Sequence, residues 1–267
     1  MYHNTVRPLN TGFIPVYPKK CHYHHSVVSY YPNISDEKQV NPVFIFLIEH
    51  ESGYCLVDTG MSSTERAQKY HDHDAWQEPG TAVQDHLEKL GIACEDVGTV
   101  ILTHMHWDHV YNLEKFAHAR IIAHEKEKAF AYAPNPLFYK NYEHQSLGIK
   151  APFIDLQIET CAGEVEILPG VRVFETHGHS PGHISVEVDT KQGKYILAGD
   201  SAFRLDNFKE IPEMGFTVTP PEKFADIVGC CNSLELQKNR CEDLSHIFMT
   251  HEVSLLERCD KTPVFGV

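Results

Sequence analysis

The chain has 267 residues, of which 42% are hydrophobic and 22% charged, and it carries a formal net charge of −14. This composition is typical of a globular protein, and the negative charge argues against a nucleic-acid partner because it repels phosphate groups. The sequence contains no run of about 18 apolar residues, so we predict no membrane helix. We also expect no signal peptide, because no basic region followed by an apolar run stands after Met1. We therefore expect a cytoplasmic protein with a single domain over residues 1–267 and no membrane partner. The sequence is compatible with a homodimer.

Predicted strands and helices alternate along the chain. Apolar runs at 43–48 and 54–57 predict a hairpin that leads into loop 58–60, and helical spacing of apolar residues predicts a helix over 81–90. The remaining elements are predicted strands at 97–102, 121–123, 164–175, 183–188, 194–197 and 246–249 and a long helix over 221–236. Because many connections are hairpins, we expect helices outside a sheet layer that is at least partly antiparallel.

Residues 124–153 are rich in aromatic side chains and prolines. One interpretation is a helix followed by an irregular loop that packs on the core. The other is a pocket wall or lid, since long insertions are often functional loops. The composition of the segment is compatible with both.

Four candidate metal ligands fall within six residues directly after the predicted strand 97–102: His104, His106, Asp108 and His109. Imidazole is the commonest metal ligand in proteins. On a helix the three histidines would point to different faces, whereas a turn after a strand can direct them toward two adjacent ions. Chance matches to such a motif are rare even in a chain with 19 histidines.

This motif alone cannot complete two metal sites, because zinc takes about four ligands and a catalytic ion keeps one position for water. Three further candidates each stand in a loop at the end of an apolar run: His183, Asp200 and His251. A donor set of imidazoles and carboxylates without thiolates suits zinc, and also iron, manganese or cobalt.

These motifs resemble those of the metallo-β-lactamase superfamily, whose fold is an αββα sandwich of the α/β class. Residues 103–109, His183, Asp200 and His251 match its metal-binding motifs in order. The closer similarity is to the N-acyl-homoserine lactonase group, and residues 178–183 and 200–203 carry it. The resemblance implies a quorum-quenching hydrolase that opens a lactone or a related ester-type bond.

The resemblance also implies two divalent ions per chain and a role for each ligand. The implied ligands are His104, His106 and His183 for one ion, Asp108, His109 and His251 for the other, and Asp200 as the bridge between them. Asp58 matches a residue that supports a metal-bound histidine, and such support fixes the orientation and tautomer of an imidazole.

Two ions about 3.5 to 4 Å apart would lower the pKa of a bridging water, so that hydroxide could attack the ester carbonyl near neutral pH. Asp108 and Asp200 are the candidate catalytic carboxylates, and we expect Asp200 to pass a proton to the leaving oxygen. His106 stands where oxygen-reducing di-iron members of the superfamily usually carry a carboxylate, which favours hydrolysis over redox chemistry.

Two positions depart from the lactonase pattern. Related lactonases usually carry a tyrosine three residues after the bridging aspartate, and Phe203 stands at that position and has no hydrogen-bond donor. Tyr111 follows His109 by two residues and either replaces this phenol or fills space. His179 lies beside the matched motif but out of its register, so we expect it behind the metal ligands rather than among them.

Two other histidine-rich stretches, at 22–25 and 71–74, are interpreted as solvated surface. Among enzymes, a thioester hydrolase resembling glyoxalase II is the main alternative, although the chain ends soon after His251 with Arg258 and Lys261 as its only basic residues there. The non-enzymatic alternative is a metal-binding module that kept the fold, but none of the predicted ligand positions is degenerate.

Overall fold

The computed structural model describes residues 4–22 and 34–267, and within them six strands form one sheet and five strands form another. The strands of the first sheet, in spatial order, are β1 (Thr5–Val16), β2 (Gln39–His50), β3 (Gly53–Val57), β4 (Val97–Ile101), β5 (Arg120–His124) and β6 (Glu159–Cys161). Those of the second sheet are β7 (Val165–Leu168), β8 (Val171–Glu175), β9 (Ile184–Thr190), β10 (Gly193–Gly199) and β11 (Ile247–Met249).

Both sheets contain antiparallel and parallel strand pairs, and the antiparallel pairs include the predicted hairpins. Strands β1, β2 and β3 pair antiparallel, and β3 to β6 continue in parallel. In the second sheet, β7 to β10 pair antiparallel and β11 runs parallel to β10. The predicted hairpin at 43–57 is confirmed by the register of β2 and β3, which pairs Phe46 with Val57.

Helices precede, connect and follow the strands. They are α1 (Pro18–His22), α2 (Thr64–Tyr70), α3 (Val83–Lys89), α4 (Trp107–Val110), α5 (Glu125–Tyr132), α6 (Ile227–Arg240) and α7 (Ser254–Lys261). Helix α7 contributes Leu255 to the core between the sheets. Among the described residues, none of these helices is long and apolar enough to cross a membrane.

The side chains of β2 alternate between two apolar cores, because successive residues of a strand point to opposite faces. Phe44 and Phe46 lie between the sheets in a core that Val186 of β9 shares. Ile45 and Leu47 face the opposite way, into the core under α3 and α5. Helix α6 covers the outer face of the second sheet, so the layers are helix, sheet, sheet and helix, as predicted.

Helix α6 begins six residues later than the predicted helix over 221–236. The Asp226 side chain accepts the backbone N–H of Val228 at 3.0 Å and caps the first turn. The backbone N–H groups of Ala225 and Asp226 both donate to the carbonyl of Gly178. Residues 221–226 are therefore held against the 176–183 loop in a non-helical conformation.

The 124–153 segment fulfils both interpretations of its composition. It forms α5 and then an irregular loop whose Tyr142 and Phe153 are 1% exposed and pack in the core under the first sheet. Lys140 and Asn141 of the same loop line a cavity of about 480 Å³, which is called the main cavity below. The loop is thus part of the core on one side and a pocket wall on the other.

Candidate metal centre

One edge of the sandwich collects the loops that carry the predicted site. Asp58 follows β3, residues 103–109 follow β4, and Asp200 and His251 follow β10 and β11. The 176–183 loop joins β8 to β9 at the same edge, since β9 is antiparallel to β10. Gly199 lies at φ +55, and a Cβ there would be 2.7 Å from Nε2 of His183, so this tight turn into Asp200 requires glycine.

A first group of donors contains His104, His106 and His179, all buried. Nδ1 of His106 lies 3.1 Å from Nε2 of His179, and the rings of His104 and His179 meet edge to face with centroids 4.8 Å apart. His179 therefore lies beside His104 and His106 in one donor group, and not behind them as the sequence suggested.

A second group contains Asp108, His109 and His251. Nε2 of His251 lies 3.6 Å from Oδ2 of Asp108, and Nε2 of His109 lies 3.9 Å from the same oxygen. Asp200 reaches both groups: its Oδ1 is 3.3 Å from Nε2 of His109, and its Oδ2 is 3.5 Å from Nε2 of His179. This is the position that a bridging carboxylate requires.

His183, a ligand in the sequence-based set, lies outside the donor groups that the described residues form. Its Nε2 accepts the backbone N–H of Asp200 at 3.1 Å, and its Nδ1 lies 2.9 Å from the hydroxyl of Thr176. Both ring nitrogens are therefore used within the protein, and no lone pair remains for a metal ion. His183 instead holds the backbone of Asp200, while His179, four residues earlier, contributes the donor atom.

Four of the five clustered histidines use one ring nitrogen within the protein and direct the other toward the centre, an arrangement typical of metal ligands. The inward donor is Nε2 in each of the four. The outward partners are the Thr103 hydroxyl for His104, the Asp58 carboxylate for His109, the Lys223 carbonyl for His179 and the Pro42 carbonyl for His251. His106 is the exception, because its Nδ1 faces His179.

Asp58 takes the supporting position that the family resemblance implies. Its Oδ2 lies 2.8 Å from Nδ1 of His109 and accepts the Thr103 hydroxyl at 2.7 Å, and its Oδ1 accepts the Thr103 backbone N–H. The residue is 1% exposed and adopts a left-handed backbone conformation with φ 64. Such a conformation is rare for residues other than glycine and is concentrated at functional sites.

Glu127 has a comparable role that the sequence did not reveal. Its buried carboxylate accepts the backbone N–H of Met105 at 2.9 Å and the phenol of Tyr142 at 2.8 Å. The other oxygen accepts the Ser180 hydroxyl and the backbone N–H of Gly182. One side chain of α5 thereby ties the loop that carries His104 and His106 to the loop that carries His179.

The electrostatics of the two donor groups differ. Burial and the neighbouring imidazoles hold the pKa of His104 well below its ordinary value, and burial lowers the pKa of His179 to about 4. Burial opposes protonation of His109 as well, but Asp200, Asp58 and Asp108 together hold its pKa well above the ordinary value. The second group therefore carries an excess of negative charge that a cation would compensate.

The donor set fits two divalent ions. Nε2 of His104 and of His109 and Oδ1 of Asp200 are buried without a hydrogen-bond partner among the described residues, and such atoms are costly unless something binds them. Ligand atoms on one tetrahedral zinc lie about 3.4 Å apart, given bond lengths of about 2.1 Å. The contacts of 3.1 to 3.3 Å that join His106 to His179, and Asp200 to His109 and His251, are close to this separation.

A cavity of about 480 Å³ opens onto this centre, and Asp108 and His251 form part of its lining. Such a volume is ordinary for a small-molecule site. Phe203 lines the cavity with its ring edge-to-face against both His179 and His251, at centroid distances of 5.7 and 5.4 Å. The position that departs from the lactonase pattern therefore faces the substrate space.

Tyr111 does not replace the missing phenol at this cavity. It lines a separate cavity of about 240 Å³ together with Arg66 and Lys150, and the Arg66 guanidinium lies over its ring at 5.4 Å. Its backbone continues the right-handed turn of α4. Two residues along a helix rotate a side chain by about 200°, so Tyr111 points away from the side that His109 faces.

The interpretation of 71–74 as solvated surface is wrong for its first residue. The His71 side chain is 1% exposed, lines the main cavity and lies 2.9 Å from a carboxylate oxygen of Glu143. His73 is 82% exposed, as predicted, and Asp74 pairs with Lys38. Residues 23–25 of the other histidine-rich stretch lie outside the described residues.

Comparison with known proteins identifies relatives for both the sequence and the fold. An N-acyl homoserine lactonase from Bacillus thuringiensis is 30% identical over 215 residues, which cover 76% of this chain and 80% of that protein. A solved N-acyl homoserine lactone hydrolase, with the product N-hexanoyl-L-homoserine at its catalytic metal centre, superposes with a TM-score of 0.75 at 20% identity over 97% of both chains. A dizinc quorum-quenching lactonase matches with a TM-score of 0.67 at 15% identity, over 95% of this chain and 89% of that one.

The sequence model of the metallo-beta-lactamase superfamily matches residues 39–227 of this chain. This range contains the loops after β3, β4 and β10 and the 176–183 loop, and His251 follows it on the turn after β11. The chain therefore belongs to the metallo-β-lactamase superfamily, within its N-acyl homoserine lactonase-like group of metal-dependent hydrolases.

Proposed function

We propose that this protein is a dinuclear metal hydrolase that opens the ester bond of a lactone, with an N-acyl homoserine lactone as the first substrate to test. The observation that carries the proposal is the pair of buried donor groups beside a cavity of small-molecule size, with Asp200 within 3.5 Å of a histidine of each group. Relatives of this chain are named for that activity, and by analogy we propose a quorum-quenching role.

The proposed ligands differ from the sequence-based set in one residue. They are His104, His106 and His179 for the first ion, Asp108, His109 and His251 for the second, and Asp200 for both. Zinc is our first choice, because imidazole and carboxylate donors at about four per ion suit it. When bound, two such ions acidify a water molecule and polarise the ester carbonyl.

The protein's own groups set up the reaction around that chemistry. Asp200 is buried, and although burial raises its pKa, His251 and His109 hold it well below the ordinary value, so it enters the reaction as a carboxylate. We propose that it accepts a proton from the attacking water and delivers it to the leaving oxygen. Asp108 contributes its negative charge beside the same cavity.

We further propose that residues 1–267 act as one catalytic domain in the cytoplasm, either alone or as a homodimer. The donors come from loops of both sheets, after β4, β8, β10 and β11, so neither sheet could form the centre alone.

The test combines metal analysis with a substrate panel. Purified protein is reconstituted with zinc, its metal content is measured, and hydrolysis of an acyl-homoserine lactone, a glutathione thioester and a β-lactam is followed. We expect two ions per chain and a turnover that is fastest on the lactone. Preference for the thioester, or a single ion after reconstitution, would contradict the proposal, and full rates after exhaustive chelation would exclude a metal-dependent reaction.

A further inference from the structure

Helix α6 packs on the outer face of the second sheet, and one of its side chains, Gln237, makes contact with the turn that carries Asp200. Gln237 is fully buried and is not among the residues that line the main cavity. Its Nε2 lies 2.7 Å from Oγ of Ser185 and 2.6 Å from Oγ of Ser201, the residue directly after Asp200. The function of this amide therefore lies in what it holds, and not in a contact with substrate.

A chain of hydrogen bonds continues from Ser185 to the backbone of Asp200. Oγ of Ser185 lies 2.9 Å from the hydroxyl of Thr176, and this hydroxyl lies 2.9 Å from Nδ1 of His183. Nε2 of His183 accepts the backbone N–H of Asp200 at 3.1 Å. The α6 amide thus reaches the turn by two routes, directly through the residue after Asp200 and indirectly through this chain.

The chemistry of the groups determines the direction of each hydrogen bond in the chain. A backbone N–H can only donate, so Nε2 of His183 carries no proton and the proton of the neutral ring is on Nδ1. That proton goes to the Thr176 hydroxyl, whose own proton goes to Ser185. The hydroxyls of Ser185 and Ser201 donate to the carbonyl of Ala198 at 3.4 and 2.8 Å. Both serine oxygens therefore accept from the α6 amide, which uses its two N–H groups on them.

Each member of this network is at most 2% exposed, so water cannot easily replace a lost partner. We propose that Gln237 is a positioning residue, whose two N–H groups hold the Asp200 turn so that the carboxylate lies between the two donor groups. It acts through Ser201 on one route and through His183 on the other. The expected effect on rate rests on the proposed function, whereas the expected effect on the Asp200 backbone does not.

The test variant is Gln237→Met, which keeps the length of the side chain and removes both N–H groups. We expect kcat for an acyl-homoserine lactone to fall about 10-fold, as is usual when a group behind a metal ligand is lost. KM should stay within twofold, because the residue does not line the main cavity, and zinc-reconstituted protein should still bind two ions. In the same sample, the Asp200 amide should exchange its hydrogen about 10-fold faster relative to the amides of β2, which report global unfolding.

The control for a loss of helix packing is Leu234→Ala on the same helix. Leu234 is fully buried in the apolar core under α6, and its removal leaves a cavity. The variant should lower the melting temperature at least as much as Gln237→Met does. It should nevertheless keep kcat and the relative exchange rate of the Asp200 amide within twofold of the wild type.

A double-mutant cycle identifies the longer route. Thr176→Val removes the hydroxyl that links His183 to Ser185, and alone it should lower kcat and speed exchange of the Asp200 amide. Combined with Gln237→Met, it should reduce kcat by less than the product of the two single losses, because both changes break one chain. Combined with Leu234→Ala, its effect on kcat should be unchanged.

Wild-type kcat and wild-type relative exchange of the Asp200 amide in Gln237→Met would overturn the inference. An equal loss of kcat in Leu234→Ala would overturn it as well, since helix packing would then explain the effect. If Gln237→Met does not fold, Thr176→Val decides in the same way, and unchanged exchange at Asp200 counts against the inference. If the wild type binds two ions but opens no lactone, the proposed function fails, and the exchange measurement still decides whether Gln237 holds the turn.

Discussion

The two halves of the metal centre differ in charge and in what holds them. The histidine half, made of His104, His106 and His179, brings only neutral donors, and burial keeps the pKa of its imidazoles low. The carboxylate half, made of Asp108, His109 and His251, includes one carboxylate as a donor and has Asp58 behind it. A buried excess of negative charge is costly unless a cation accompanies it, so the carboxylate half depends more strongly on its ion for stability.

The supports of the two halves are also different. A single charged contact, from Asp58 to Nδ1 of His109, orients a ligand of the carboxylate half directly. Within the described part of the chain, Glu127 forms no hydrogen bond with a ligand side chain; it holds the backbones of Met105 and Gly182 and thereby the loops of the histidine half. The comparison teaches that a metal site can be preorganised either through its ligand rings or through the loops that carry them.

Removing the group that both halves share should have the largest effect. We expect Asp200→Asn to fold but to lose activity by about 1000-fold or more, because a neutral amide bridges two cations poorly and cannot accept a proton. Steady-state kinetics and metal analysis on the same sample measure both consequences. Asp189→Asn, at the far end of β9, is the matched control and should match the wild type; near-normal turnover of Asp200→Asn would remove this residue from the mechanism.

The second-largest effect concerns the ligand set, in which we propose His179 where the sequence-based set has His183. His179→Ala should retain one ion per chain and lose activity about 100-fold, since it removes a donor of the histidine half. His183→Ala should retain two ions, with a lower melting temperature because Nε2 of His183 no longer accepts the N–H of Asp200. Mass-spectrometric metal counting decides the question, and two ions in the first variant with one in the second would restore the sequence-based assignment.

A smaller effect distinguishes the two kinds of support. In the His179→Ala background the remaining ion lies in the carboxylate half, so Asp58→Asn should weaken its binding by about 10- to 100-fold. Glu127→Gln should leave that affinity within about threefold, because its contacts belong to the other half. Chelator competition measures both constants, and equal weakening by the two variants would show that the halves are not independently supported.

The sequence predicted the parts of this molecule that local patterns determine. Alternation and turn residues predicted most of the strands, and the compact motif at 104–109 predicted five ligands once Asp200 was added at the end of an apolar run. His179 and His183 could not be separated in this way, because both stand in one short loop and its backbone decides which ring faces the centre. Glu127 lies 18 residues beyond His109, and only the packing of α5 against the ligand loops brings it to the site.

The smallest effect is expected for Tyr111, which the sequence suggested as a replacement for the tyrosine that related lactonases carry at the position of Phe203. Tyr111 lines a different cavity from Phe203, with its ring under Arg66, so Tyr111→Phe keeps the ring that the guanidinium contacts and should leave kcat/KM within about twofold. Phe203→Tyr should change it more, because this ring lies between His179 and His251 at the substrate space, and an added donor there acts on the developing charge. Both variants and their combination are compared on one acyl-homoserine lactone. A large loss in Tyr111→Phe that Phe203→Tyr restores would mean that Tyr111 reaches the substrate after all, whereas an unchanged Tyr111→Phe beside an altered Phe203→Tyr would place the reaction entirely in the larger cavity.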